Sequence, residues 1–181
     1  LHHSIYNSPV GPLRLAVSER GLALLQFANH LFPPKGRMFA DASWEPWEAA
    51  IAPYVAELEE YFSGRRRQFS IPIDLWGTSF QKRCWQALLA IPYGEVRSYA
   101  DMARTIGCPR GFRAVGLANH DNPVAIVVPC HRVIASDGTL GGYGGGLPLK
   151  KHLLELEGVR LSARVAAQFQ EPLFRVNTVA S

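Results

Sequence analysis

In the run Val127-Val128-Pro129-Cys130-His131-Arg132-Val133-Ile134, a cysteine stands directly after a proline and directly before a histidine. The thiolate is the attacking form of cysteine, and a free thiol is mostly protonated near neutrality, so a nucleophilic cysteine needs a base close by. Proline cannot donate to a sheet ladder, so the chain must leave regular structure at Pro129. The thiol is therefore expected where a buried, strand-like segment breaks. In an arbitrary chain such a pair is more often an inert core cysteine beside a satisfied histidine, since free cysteine is among the most buried residue types. What lies around the pair decides between the two.

A chain of 181 residues suits one domain or two small ones sharing an interface. Its 48% apolar content is ample for a core, and no segment approaches the ~18 to 20 uninterrupted apolar residues of a membrane span. There is no charged-then-apolar leader. Three cysteines (Cys84, Cys108, Cys130) cannot all pair, and their spacing matches no zinc pattern. The expectation is a reducing compartment, cytoplasmic or nucleoid-associated in a bacterium, with no structural metal and no cofactor.

The net charge of +4 is unevenly placed. Residues 1–76 hold seven Lys/Arg and eight Asp/Glu, residues 77–160 ten and six, and the tail two and one. Positive charge collects in the segment carrying Cys130, the sign a phosphate backbone favours.

The elements that must position the pair follow from periodicity. Ser4 to Phe27 reads as strands: Ser8-Pro9-Val10-Gly11-Pro12 is turn chemistry, Leu13, Leu15 and Val17 alternate, and Leu22–Phe27 follows the turn at Gly21. Residues 29–43 read as a loop centred on Pro33-Pro34-Lys35-Gly36. Trp47–Phe62 is helical through Ile51, Val55, Leu58 and Phe62, with Pro53 near the first turn and Gly64 as the stop. Arg65-Arg66-Arg67 reads as solvated charge after a helix end. Phe69, Ile71 and Ile73 alternate as a strand. A junction falls at residues 74–78, dividing a 1–76 unit from a 77–160 unit and a 161–181 tail that wraps the surface. In the second unit a helix runs from Ser79 to about Ala90, with Cys84 as packing. Two short helices, Tyr99–Ile106 behind Ser98 and Phe112–His120, surround a glycine-containing break and match a helix-turn-helix. A glycine-dense stretch, residues 141–146, precedes a last helix over Pro148–Glu157. Such glycines suit a linker or a close backbone approach to a ligand.

Pro129-Cys130-His131-Arg132-Val133, preceded by Arg113-Ala114-Val115-Gly116 and Asn122-Pro123 and followed by Gly142-Tyr143 and Leu156-Glu157-Gly158, resembles the O6-alkylguanine-DNA alkyltransferases, also called methylated-DNA–protein-cysteine methyltransferases. The resemblance is strong over about residues 77–160 and softer in the N-terminal part, where Ser8-Pro9-Val10-Gly11-Pro12-Leu13 is similar to the family's opening hairpin. It implies an α/β N-terminal domain with a ribonuclease-H-like antiparallel sheet. A mostly α C-terminal domain with a winged-helix-like helix-turn-helix would follow. Some members hold zinc in the first domain; the comparable strand positions here are Ser18 and Ala23, so none is expected.

What the resemblance implies for function is direct, irreversible, single-turnover transfer of the alkyl group of O6-alkylguanine, and of O4-alkylthymine, in duplex DNA to Cys130. His131 would take the thiol proton through a water, and Glu157 would orient the imidazole. Tyr99 would give a proton to the leaving guanine and press on the adjoining phosphate. Asn122 would tie the recognition helix to the active-site turn. Val133 and Cys130 backbone groups, Tyr143, the amide of Gly144 and the charge of Lys150 would form the pocket. The base must be extruded to reach the thiol. Arg113 would fill the vacated stack and small Ala114 and Gly116 would let the helix approach the minor groove, while backbone amides near Ala100 and Ser136 would hold phosphates. Asn119 and His120 receive no role. The partner is double-stranded DNA, bound by a monomer able to cluster along it. Rival readings are a non-catalytic lesion-binding relative that recruits other repair factors, a sequence-specific regulator, and a hydrolytic cysteine enzyme. Family relatives of the first kind replace the cysteine, and the second helix offers few polar side chains for base readout.

Overall fold

Three strands open the chain as a meander: β1 (His2–Ser8), β2 (Gly11–Ser18) and β3 (Gly21–Phe27), each antiparallel to the next. The computed structural model describes residues 1–30, 39–163 and 165; the centre of the expected 29–43 loop and most of the 161–181 tail lie outside these. The first hairpin closes because Gly11 takes φ +103° while the Ser8 hydroxyl accepts from the Val10 amide at 3.2 Å. Leu13, Leu15, Leu22 and Leu25 are fully buried. A two-residue strand, β4 (Glu45–Pro46), returns beside β1 in parallel, giving the order β3-β2-β1-β4. The sheet is thus mixed, not wholly antiparallel as expected.

Helix α1 (Glu48–Phe62) packs across β1 and β2 and buries Ile51, Leu58 and Tyr61. Pro53 lies inside it rather than in the first turn. The expected strand over Phe69–Ile73 does not form. Its pairing is one bridge, with the Leu22 amide donating to Pro72 O and the Asp74 amide to Leu22 O, both at 2.9 Å. Pro72 has no donor, so a continuous ladder cannot extend through it. Asp74 then clamps the junction, accepting from Ser18 Oγ and Trp76 Nε1 at 2.7 Å each and from Arg20 Nη2 at 2.6 Å. Ser18 is spent on this clamp, and Ala23 is fully buried.

The second half is helical. Helix α2 (Ser79–Leu89) begins with a reciprocal capping box between Thr78 and Gln81 and buries Cys84, Trp85 and Leu88. Helix α3 (Tyr99–Thr105) begins with another, between Ser98 and Asp101, and α4 (Phe112–His120) follows the break at Gly107–Gly111. A bond of 2.8 Å from Trp85 Nε1 to Ala118 O ties α2 to α4. Between them and the last helix, α5 (Leu147–Leu156), a short parallel pair joins β5 (Arg97–Ser98) to β6 (Val133–Ile134).

Val124–Val128, expected to be strand-like, is a buried turn held by single bridges of Val124 to Leu25 and of Val128 to Ala125. Ile126 adopts φ +71°, among the described residues the only non-glycine with positive φ, although its side chain is fully buried.

Candidate active site

Pro129 ends that turn, and Cys130–Arg132 form one turn of 3-10 helix whose three residues are all buried. The sequence therefore places sulfur, imidazole and guanidinium in one corner, packed against α5 and α2 and carried by a turn that β3 holds through Leu25. Asn122 pins it. Its Nδ2 donates to Val128 O at 2.8 Å and to Cys130 Sγ at 3.2 Å, while its Oδ1 accepts from the Val124 amide at 3.0 Å.

Glu157, just past the end of α5, is the hub behind the corner. Its Oε1 accepts from His131 Nε2 at 2.7 Å, Tyr61 Oη at 2.8 Å and Arg132 Nη2 at 3.0 Å. Its Oε2 accepts from Arg132 Nε at 2.8 Å and the Gly94 amide at 3.3 Å. Arg132 also donates to Ile91 O at 2.6 Å. Though burial opposes ionisation, the bonds from His131 and Arg132 and their charges bring the Glu157 carboxyl down to about 2. An ionised Glu157 can only accept, so the His131 proton sits on Nε2 and the lone pair on Nδ1. Nδ1 has no hydrogen-bond partner among the described residues.

Burial pushes the Cys130 thiol up and the His131 imidazole down, so both rest neutral. No direct bond joins them among the described residues. Donation from Asn122, the nearby Lys150 charge and the backbone amides of Cys130 and His131 favour the thiolate against that burial.

Lys150 brings its charge to Cys130 from within the core rather than from solvent. It is fully buried in α5, with Nζ donating to the carbonyls of Val133 and Leu140 at 2.5 Å and Gly142 at 3.1 Å; burial lowers its pKa to about 8. It fixes the backbone on both sides of the active-site loop. Tyr99 opens α3 with its hydroxyl donating to Gly142 O at 3.4 Å and its ring between Gly116 and Gly141. A Cβ at Gly116 would lie 3.9 Å from that ring and one at Gly141 would lie 3.0 Å away. The close approach is therefore at Gly141, whereas a Cβ at Gly116 would make only an ordinary contact with the ring. Burial keeps the Tyr99 hydroxyl protonated.

A cavity of about 810 Å³ runs between the two halves, lined by residues that include Phe27, Gln81, Asn119, Asn122, Cys130, Tyr143 and Gly144. Arg113 and Ala114 are exposed on α4 beside exposed Phe112 and Leu117. Ala100 and Ser136 follow β5 and β6, which run parallel, and so leave the pair at the same end. Val133 is buried in β6. Two members of the hub, Tyr61 and Arg132, were not anticipated from sequence. Each carried a signal: a tyrosine on the apolar face of α1, and an arginine inside an apolar run, need a buried partner.

A buried thiol with a carboxylate-held imidazole, opening to a cavity beside a helix-turn-helix, defines a cysteine-dependent protein of the nucleic-acid-binding class. Residues 1–75 match the model of the 6-O-methylguanine DNA methyltransferase ribonuclease-like domain, and residues 79–159 that of the DNA-binding domain of the same family. The chain is 50% identical over 157 residues to the methylated-DNA–protein-cysteine methyltransferase of Mycobacterium leprae, covering 87% of this chain and 92% of the relative. Over 157 residues it is 46% identical to the Methanosarcina barkeri protein of that name, covering 87% and 97%. The solved structure of Mycobacterium tuberculosis OGT in complex with DNA superimposes with a TM-score of 0.78 at 46% identity, covering 87% of this chain and 92% of that one. The chain belongs to the 6-O-methylguanine DNA methyltransferase family.

Proposed function

We propose that this protein repairs duplex DNA by moving the alkyl group of O6-alkylguanine, and of O4-alkylthymine, onto Cys130, once per molecule. The observation that carries this reading is the buried Cys130-His131-Glu157 arrangement with Asn122 on the sulfur. Sulfur attacks the alkyl carbon in line with the departing oxygen; the S–C bond forms as the C–O6 bond breaks, and the bonding pair leaves on the base. His131 Nδ1 takes the thiol proton through solvent, and Glu157 stabilises the imidazolium. Tyr99 protonates the leaving guanine and is restored from the relay, so the net proton movement is from thiol to guanine. The thioether has no hydrolytic exit, which makes the reaction stoichiometric.

Residues 1–76 act as support and residues 77–160 as the reacting domain, a division favoured by the two family matches. Helix α4 enters the minor groove, with exposed Arg113 filling the space of the extruded base and Ala114 and Gly116 permitting approach. The amides near Ala100 and Ser136 hold phosphates from one end of the β5–β6 pair. Val133, Tyr143 and Gly144 line the base site, and Lys150 acts by fixing it. The protein binds as a monomer, clusters along DNA, and works inside the cell with the chromosome. The presence of Cys130 argues against a non-catalytic lesion binder.

Incubation with a duplex carrying labelled O6-methylguanine should place one methyl group on Cys130, read by peptide mass; label staying on the DNA with native protein overturns the assignment. Arg113→Ala should slow transfer from duplex far more than reaction with free O6-benzylguanine, and equal losses would remove its extrusion role.

A further inference from the structure

The cavity beside Cys130 holds polar groups that the relay does not use. Asn119, at the end of α4, is 8% exposed, lines the cavity, and has neither Oδ1 nor Nδ2 hydrogen-bonded among the described residues. The Tyr143 hydroxyl, on the same lining, is likewise buried and unpartnered among them. Leaving such groups unpaired costs stability, so native structures keep few of them, and each one calls for a reason. Tyr143 and Gly144, assigned above to the base, are among the lining residues, whereas Tyr99 and Val133 are not, and Leu24, Gln26 and Gln81 continue the lining, so the cavity shares a wall with the base site and runs on past it. Its volume of about 810 Å³ far exceeds what a methyl group needs.

In-line attack puts sulfur, carbon and oxygen on one axis. Whatever the carbon carries beyond its hydrogens must then project sideways, into space beside the sulfur. Among the described residues, a Cβ at Gly144 would meet only the His30 ring, at 3.8 Å, an ordinary contact that leaves room on that wall.

We propose that this cavity receives the part of the O6 substituent beyond its first carbon, and that Asn119 pairs with an uncharged hydroxyl there. The substrates so defined are short hydroxyalkyl adducts such as O6-(2-hydroxyethyl)guanine. This rests on the alkyl-transfer reading and narrows it. A carboxamide can both donate to and accept from a hydroxyl. Asp121 lines the same cavity and, with its Oδ2 held by Gln81 at 3.1 Å, disfavours a carboxylate-ended substituent. The chemistry is unchanged: the S–C bond forms, the C–O6 bond breaks, the thiol proton ends on guanine, and Cys130 becomes a hydroxyethyl thioether.

The test is a competition between duplexes that differ only in the substituent: methyl, ethyl, 2-hydroxyethyl or carboxymethyl at one guanine. Peptide mass reads which group reaches Cys130, and single-turnover rates quantify it. The wild-type protein should prefer hydroxyethyl over ethyl by about two- to tenfold, the size of one uncharged hydrogen bond. Carboxymethyl should react more slowly than hydroxyethyl. Asn119→Leu should erase the hydroxyethyl-to-ethyl ratio, whatever it does to the absolute rates. A wild-type ratio at or below one, which needs no folded variant to observe, overturns the proposal. So does a preference that survives Asn119→Leu, or carboxymethyl reacting faster. Failure of methyl transfer itself would strike the functional reading instead, so the two failures are distinguishable.

Discussion

The two flanks of Cys130 are built on opposite terms. Behind it, every polar atom of Glu157 and Arg132's reach into the core is matched: five donors converge on one carboxylate. In front of it, Asn119 and the Tyr143 hydroxyl have no partner among the described residues. A satisfied network is rigid and holds one geometry. Unsatisfied groups beside a cavity are what a ligand can complete. The difference teaches that burial by itself does not separate structural from functional polarity here; the state of the hydrogen bonds does.

Breaking the closed flank should have the largest effect. Arg132→Met leaves Glu157 without its permanent cation and should cost about 3–5 kcal/mol of stability by urea unfolding; a loss under 1 kcal/mol would mean the hub is not a unit. Glu157→Gln keeps the shape and removes the charge. It should slow transfer about a hundredfold, the low end for general-base help, with DNA affinity unchanged. The same residue sets an acid limit. Its folded pKa of about 2 lies below the ordinary 4.5, so its contribution is complete above about pH 4.5 and is lost as pH falls toward 2. The Glu157→Gln variant should show a shallower decline of unfolding free energy across that window, and parallel curves would count against the assignment.

Tyr61→Phe sharpens the comparison, because it removes one donor from a carboxylate that keeps four. About 1.5 kcal/mol of stability should go. The less neutralised carboxylate should also raise the His131 pKa, visible by NMR titration; an unmoved imidazole would leave Tyr61 as packing only. On the open flank, Gly144→Ser should change stability by less than about 0.5 kcal/mol, since the added Cβ has room. A thermal melt lowered as much as in Tyr61→Phe would show that flank to be as tightly built as the other.

Much of this was legible in the chain. The Thr78 and Ser98 caps announce α2 and α3, and the alternation of Leu13, Leu15 and Val17 announces β2, because these signals are local. Phe69–Ile73 alternates as a strand does, but Pro72 has no amide to give the ladder, and a single bridge is all that forms. Val124–Val128 reads as a strand because a largely buried turn and a buried strand are equally apolar. Tyr61 and Arg132 escaped for another reason: their partner lies 96 and 25 residues away, and only the resemblance singled out Glu157 as one end of that contact. The resemblance gave Asn119 no role, and its burial without partners is visible only in three dimensions.

Ile126 draws one more consequence. A β-branched residue with positive φ is disfavoured by about 1–3 kcal/mol, yet glycine, which would relax the backbone, would vacate a fully buried site. No substitution can ease both demands at once. The height at which the sulfur sits is therefore set by a compromise between chain and core four residues upstream, and variants there should alter reactivity without touching any group that takes part in the chemistry.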